Sequence, residues 1–173
     1  FAAKGRPIEA DGGVGVNVAL MIGHGTVRGA VLGQARRDPT ADELQKMRAI
    51  VRQGMADGAF GLSSGLFYTP GRFAKTEEVI ALAKEAGGVY TSHVRDEGDY
   101  DVGVIASVDE VIRIAEEGRV RGIVSHVKAL GPDSWGKGKT IVEHIDAARA
   151  RGVEVYADQY PYEASSTSLA AAV

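Results

Sequence analysis

A chain of 173 residues, 45% hydrophobic and 25% charged, is long enough to bury one hydrophobic core and has the composition of an ordinary globular domain. Its formal net charge of -3 offers no basic surface, and its lack of cysteine excludes disulfides, thiolate metal ligands and a cysteine nucleophile. We therefore expect a cytoplasmic protein whose partners are neither nucleic acid nor membrane. Because the sequence begins at Phe1 rather than methionine and ends without a terminating signal, we also expect an internal segment of a longer protein.

Short apolar runs of strand type recur five times, and each is followed by a polar or turn-forming stretch. They cover 16–22, 59–62, 89–93, 123–126 and 153–157. After the first run, the glycine-rich stretch 23–26 is predicted to be the exit loop.

Helical periodicity fills the gaps between the later runs. It predicts helices over 40–57, 77–86, 107–118 and 140–152. Three of them begin with the spacing of a capping box, in which a hydroxyl and a carboxylate satisfy the first backbone N–H groups of the helix. These pairs are Thr40 with Glu43, Ser107 with Glu110, and Thr140 with Glu143.

Strands alternating with helices at a spacing of about 30 residues predict a parallel sheet with helices outside it. Five such strands are rather more than half of an eight-stranded (β/α) barrel, and they also suit a complete doubly wound sheet. The sequence contains neither a P-loop nor a G-x-G-x-x-G turn, so nucleotide binding has no support.

Two predicted strands end in the same Ser-His-Val motif followed by a cation, which is Arg95 after His93 and Lys128 after His126. The carboxyl ends of parallel strands converge, and imidazole is a common ligand of zinc. We therefore predict that the two histidines bind one zinc ion. Each cation faces the same side of its strand as the histidine, where it either binds a substrate carboxylate or lies in solvent.

Other polar residues near these strand ends have two interpretations each. Asp96 and Glu97 either orient a ligating imidazole or cap the loop. Asp158 ends the fifth strand as a ligand or, as we favour, as a hydrogen-bond anchor. His24 is interpreted as a histidine of a loop turn, and His144 as a residue of a helix surface.

Aromatic residues follow two of the strands. Phe67 and Tyr68 lie in a loop bounded by glycine and proline, and Tyr160 follows the fifth strand. Such residues either wall a pocket for an apolar side chain or simply cover the end of a barrel.

Four segments together carry a resemblance to a known family. They are GLSSGLFYTPG at 61–71, YTSHVRDE at 90–97, SHVKALG at 125–131 and DQYPY at 158–162. In this order they resemble the D-aminoacylase (N-acyl-D-amino-acid deacylase) branch of the amidohydrolase superfamily. The resemblance implies a TIM-type barrel of the metal-dependent hydrolase kind, in which residues 1–173 are one domain from the centre of the barrel and lack its first and last strands. It also implies zinc-dependent hydrolysis of the amide bond of an N-acyl-D-amino acid.

The resemblance assigns roles to individual residues. His93 and His126 resemble the zinc-ligating histidines of the middle strands. Lys128 and Tyr68 resemble the pair that binds the substrate carboxylate, and Phe67 resembles the residue that lines the side-chain pocket. Arg95, which follows its histidine as the lysine does, is a further candidate for substrate binding.

The sequence also departs from the family pattern. No two of its four histidines form the early His-x-His motif, there is no cysteine ligand, and the late aspartate that acts as general acid and base is missing. We expect these groups outside residues 1–173, so no catalytic residue is assigned within the chain. Since a catalyst needs its acid and base within hydrogen-bond reach, the chain alone is predicted to be inactive.

Three alternatives stay open at this point. The chain could be a non-catalytic half-barrel that self-associates to cover its open edges. It could be part of another amidohydrolase, such as a dihydroorotase-like cyclic amidase. It could also be an aldolase-like lyase in which Lys128 forms a Schiff base.

Overall fold

In the computed structural model, which describes residues 17–167, five parallel strands form one sheet in the order of the sequence. The strands are β1 (Ile22–Gly23), β2 (Gly61–Gly65), β3 (Val89–His93), β4 (Arg121–Val124) and β5 (Val155–Ala157). The predicted fold class, parallel strands with outer helices, is confirmed. A sheet without a reversal of strand order is that of a barrel segment, whereas a doubly wound sheet reverses at a switch point.

Five α-helices connect the strands and cover the sheet. They are α1 (His24–Leu32), α2 (Ala41–Ala56), α3 (Thr76–Ala86), α4 (Val104–Gly118) and α5 (Gly138–Ala150). Two short 3-10 turns, Gly71–Phe73 and Pro132–Ser134, lie in the loops after β2 and β4. No helix within residues 17–167 is long and apolar enough to cross a membrane.

The core lies between the sheet and the inner faces of the helices. In α4, Val108, Val111 and Ala115 are buried at helical spacing, which gives that helix one continuous apolar face. β2 lies close against β3 at Gly61, where a Cβ atom would lie 1.9 Å from the carbonyl oxygen of Val89. Glycine is therefore required at the start of β2.

The stretch 23–26 does not form the predicted exit loop, because α1 begins at His24 directly after β1. The strand predicted over 16–22 extends over Ile22 and Gly23 alone within the described residues. A strand of two residues gives almost no periodic signal, and the two glycines of α1 lower its helix propensity. The prediction was wrong for these reasons.

The three predicted capping boxes differ in outcome. The first is confirmed, since Thr40 Oγ1 accepts from the Glu43 backbone N–H at 3.2 Å and the Glu43 carboxylate accepts from the Thr40 N–H at 2.8 Å. The other two are wrong because α4 and α5 begin earlier, at Val104 and Gly138, so that the predicted caps lie inside the helices. The hydroxyl of Ser107 instead accepts from the backbone N–H of Asp96 at 2.9 Å.

Candidate metal centre at the carboxyl ends of the strands

The structure brings His93 and His126 together. His93 is the last residue of β3, and His126 follows two residues after the end of the neighbouring strand β4. His93 Nδ1 lies 2.8 Å from His126 Nε2, and the ring centroids are 4.5 Å apart. One nitrogen of each imidazole therefore faces the other across a short gap.

The backbone of His126 has the left-handed conformation, with φ 42°. A non-glycine residue rarely adopts this conformation without support. Asp158 provides that support, because its Oδ1 accepts from the His126 backbone N–H at 2.5 Å and its carboxylate accepts from the Ser125 hydroxyl at 3.3 Å. Asp158 is thus a hydrogen-bond anchor that holds the turn after β4.

Glu97 is the acidic residue of the cluster. Its Oε1 lies 3.2 Å from His126 Nδ1 and 3.7 Å from His93 Nε2, and it accepts a hydrogen bond from Lys128 Nζ. One ligand atom each from His93, Glu97 and His126 lies within 4.8 Å of the other two, which is close enough to hold a metal ion. The sequence did not distinguish this position of Glu97 from that of a residue capping the loop.

Asp96 determines the shape of the loop that carries Glu97. Its carboxylate accepts from four backbone N–H groups, those of Gly98, Tyr100, Asp101 and Gly103. Burial raises the pKa of the Asp96 carboxyl, but these hydrogen bonds outweigh burial and hold the pKa below its ordinary value. Asp96 therefore caps the loop, and its neighbour Glu97 turns towards the histidines.

Lys128 lies where its spacing from His126 predicts. Its Nζ is 2.9 Å from His126 Nδ1, and it pairs with Glu97. The ammonium group is therefore part of the cluster rather than a solvated loop charge.

Aromatic rings border the cluster on two sides. The ring centroids of Tyr68 and Phe67 lie 4.7 Å and 5.7 Å from that of His93. On the other side, Lys128 Nζ lies 5.4 Å from the centroid of the Tyr160 ring. The rings thus lie beside the cluster, and the sequence left open whether they wall a pocket or only cover the end of the sheet.

Arg95 is the one predicted site residue that the structure uses elsewhere. Its guanidinium forms a salt bridge with Glu110 of α4 at 2.7 Å and donates to the carbonyl oxygens of Arg72 and Ala74. These contacts hold the loop after β2 against α4. A substrate-binding role for Arg95 stays a prediction.

The environment of His93 favours its neutral form. Burial lowers the pKa of His93 to about 4, and the charges of His126 and Lys128 act in the same direction, against Glu97. Neutral imidazole is the form that binds metal ions. His93 is thus ready to act as a ligand at neutral pH.

The other two histidines lie apart from this cluster. His24 is fully buried at the start of α1, and its Nε2 lies 2.8 Å from the Glu78 carboxylate. His144 is half-exposed on α5 and pairs with Asp109 at 2.7 Å. The prediction of a surface histidine is confirmed for His144, whereas the prediction of a loop-turn histidine is wrong for His24.

The donor set fits a divalent metal ion such as zinc. Two imidazoles converge at the open end of a parallel sheet with a carboxylate beside them, and histidine pairs of this kind ligate zinc in enzymes. The ammonium group of Lys128 adds a site for an anionic group of a substrate. The cluster therefore combines metal-binding groups with an anion-binding group.

Known proteins are similar to this chain in sequence and in fold. No protein-family model matches the chain. Over 157 residues it is 40% identical to a D-aminoacylase from Alcaligenes xylosoxydans xylosoxydans, covering 89% of the chain and 32% of that protein. It is 35% identical over 158 residues to an N-acyl-D-aspartate deacylase of the same organism, covering 89% of the chain and 31% of that protein.

Two solved structures match with a TM-score of 0.79 over 85% of the chain and 31% of each structure. One, 40% identical, is the N-acyl-D-glutamate deacylase of Bordetella bronchiseptica with zinc and a phosphonate inhibitor that mimics the tetrahedral intermediate. The other, 41% identical, belongs to work on the binuclear metal centre of D-aminoacylase. The chain thus spans about a third of the length of the relatives that it matches.

Proposed function

This chain is homologous to the D-aminoacylases over 89% of its length, and on that premise we propose that it serves the zinc-dependent hydrolysis of N-acyl-D-amino acids. Residues 1–173 would form one domain, the central part of an eight-stranded amidohydrolase barrel without its first and last strands. The observation that carries the proposal is the pair of facing imidazoles, His93 and His126, beside the ammonium group of Lys128.

His93 and His126 are the residues that would hold the metal, through the two nitrogens that face each other. When bound, zinc polarises the amide carbonyl and lowers the pKa of its water towards 7, which supplies a nucleophile at neutral pH. The chain's own contribution is to fix both rings. Asp158 holds the backbone of His126, and the ladder of β2 and β3 holds His93.

The substrate would be oriented by the groups around the metal. Lys128 would bind the carboxylate of the N-acyl-D-amino acid, with Tyr68 beside it, and Phe67 would contact the side chain of the substrate. Their closeness to His93 and His126 supports these roles. An ammonium group in a partly buried site binds a carboxylate more strongly than the same group in open solvent does.

The general acid and base would come from outside the chain. An acid/base must lie within hydrogen-bond reach of the reacting atoms, and the cluster's own carboxylate, Glu97, is engaged with Lys128 and His126. We therefore expect purified chain of residues 1–173 to lack deacylase activity towards N-acetyl-D-amino acids, with the L-enantiomers as control substrates.

Metal analysis tests the proposal. We expect the wild-type chain to retain one equivalent of zinc after dialysis, and His93→Ala and His126→Ala each to lose it. His144→Ala is the matched control, since it removes a surface imidazole that pairs with Asp109. Zinc that stays bound in both site variants would contradict the proposal.

A second proposal concerns the assembly of the isolated chain. Within residues 17–167, β1 and β5 each pair on one side only, so both edges of the sheet expose backbone hydrogen-bonding groups. We expect the chain to self-associate, and sedimentation should give a mass above 18.2 kDa. A monomer at all concentrations would contradict this.

A further inference from the structure

One oxygen of Glu97 contacts three polar groups of the site. Oε1 lies 3.2 Å from His126 Nδ1 and 3.7 Å from His93 Nε2, and it accepts from Lys128 Nζ. The side chain is only 12% exposed, so these contacts are poorly screened by solvent.

The two imidazoles present two different pairs of nitrogens. His93 Nδ1 and His126 Nε2 face each other at 2.8 Å, whereas His93 Nε2 and His126 Nδ1 face Glu97. A neutral imidazole carries one proton, and the nitrogen that binds a metal must be without it. Both rings can therefore offer their facing nitrogens only if their protons are on the side of Glu97.

Lys128 opposes this arrangement at His126. Its ammonium group is a donor only, and it lies 2.9 Å from His126 Nδ1. If Nδ1 accepts from Lys128, the ring proton must sit on Nε2, which then cannot bind a metal. A carboxylate that accepts from both Lys128 Nζ and His126 Nδ1–H removes the conflict, and Glu97 is in position to accept from both.

The position of Glu97 is fixed by the backbone on both sides of it. Asp96 binds the loop that follows through four N–H groups, and the Leu130 N–H donates to the Glu97 carbonyl oxygen at 2.7 Å. The buried His93 Nε2 has no hydrogen-bond partner among residues 17–167, and the Glu97 carboxylate lies 3.7 Å from it, near enough for its charge to act on the ring but beyond hydrogen-bond distance.

We propose that Glu97 is a positioning residue that accepts the Nδ1 proton of His126, favours a proton on His93 Nε2 through its nearby charge, and gives the Lys128 ammonium an acceptor other than His126 Nδ1. The inference rests on the proposed function for the identity of the metal-binding nitrogens. It assigns Glu97 to the rear of both rings, as a hydrogen-bond acceptor and not as a metal ligand. Carboxylates that orient ligating histidines have this effect in other metal sites.

Zinc affinity of the purified chain, measured by competition with a chromophoric chelator, tests the role. We expect Glu97→Gln to bind zinc roughly 10- to 100-fold more weakly than the wild type, as is usual for loss of such a partner. Asp99→Asn is the matched control: it removes another carboxylate of the same loop, one that also pairs with a lysine, Lys137, and its affinity should stay within about twofold of the wild type.

Two outcomes of this titration would overturn the inference. Unchanged affinity in Glu97→Gln would mean that the carboxylate does not orient the histidines. Loss of zinc as complete as in His126→Ala, or an altered ligand-field spectrum of the cobalt form where the variant still binds metal, would mean that Glu97 is itself a ligand.

A second measurement needs no metal. Nitrogen-15 NMR of the metal-free chain reports which nitrogen of each histidine carries the proton. We expect the Nδ1–H form of His126 to be less populated in Glu97→Gln than in the wild type, and an unchanged population would overturn the inference. If the wild type binds no zinc at all, the proposed function fails, whereas the NMR comparison still decides the role of Glu97.

Discussion

The structure contains two clusters made of the same three kinds of group, a histidine, a glutamate and a cation. One, here called the buried cluster, consists of His24, Glu78 and Arg28; the other, the open cluster, includes His126, Glu97 and Lys128. In each, one carboxylate joins the imidazole to the cation. Their surroundings differ, because His24 and Arg28 are fully buried, whereas the His126 side chain is 30% exposed.

The cation accounts for much of the difference between the clusters. Nη1 of Arg28 pairs with Glu78, and Nη2 donates to the carbonyl oxygens of Ala35 and Arg37 at 3.2 Å and 2.7 Å, so that the planar guanidinium is held in one geometry although its buried Nε has no partner among residues 17–167. Lys128 has a single flexible ammonium group at the mouth of the sheet. The same residue types therefore stabilise the fold where they are fully buried, and remain available for a ligand where the cluster stays partly exposed.

The largest expected effect is on the buried cluster. Glu78→Gln leaves Arg28 as an uncompensated buried charge, which typically costs about 3–5 kcal/mol of the free energy of unfolding. Glu77→Gln is the matched control: this neighbouring side chain is 64% exposed, pairs with Arg113 and should change stability by less than about 1 kcal/mol. Urea denaturation measures both. If both variants lost the same free energy of unfolding, the buried carboxylate would contribute no more to stability than the exposed one beside it.

A second test uses pH and the open cluster. The pKa of His93 is about 4 in the folded chain and 6.5 when unperturbed, so between these values the unfolded chain binds a proton that the folded chain does not. The metal-free protein should therefore lose stability as the pH falls from about 6.5 to about 4. His93→Gln should flatten this part of the profile of unfolding free energy against pH. If the unfolding free energy of His93→Gln had the same slope against pH, His93 would not be the group responsible for the loss of stability.

The smallest expected effect on stability comes from a residue of the open cluster. His126 has φ 42°, which glycine adopts without strain, so His126→Gly should change the free energy of unfolding by less than about 1 kcal/mol while zinc binding is lost. Denaturation measures the change in stability, and metal analysis of the same sample measures the loss of zinc. A destabilisation as large as that of Glu78→Gln would mean that the open cluster also holds the fold together.

The sequence predicted those features that repeat along the chain. Apolar runs at regular spacing, each ending in a polar motif, were enough to predict parallel strands and the meeting of His93 with His126, because sheet geometry brings equivalent strand ends together. Periodicity could not predict α1, since β1 has two residues and leaves no gap before the helix.

The contacts of Glu97 and Glu78 could not be predicted from local sequence patterns, because both depend on how the chain folds. The position of Glu97 depends on a loop that Asp96 folds through contacts with four backbone N–H groups, and Glu78 meets His24 across 54 residues of sequence. At Ser107 the local pattern predicted a contact that does not form. The spacing of Ser107 and Glu110 is that of a capping box, but the Ser107 hydroxyl accepts from the backbone N–H of Asp96 and caps no helix start.

The unbroken strand order has a consequence for how the chain acquires its structure. Each strand pairs with the one made just before it, so during synthesis every new strand and helix can dock on a unit that has already formed. His93 meets His126 once β4 is in place, 33 residues later, and Asp158 arrives last to hold the turn at His126. The part of the site within residues 17–167 can thus assemble in the order of translation, and the hydrogen bond from His126 to Asp158 can form only after β5.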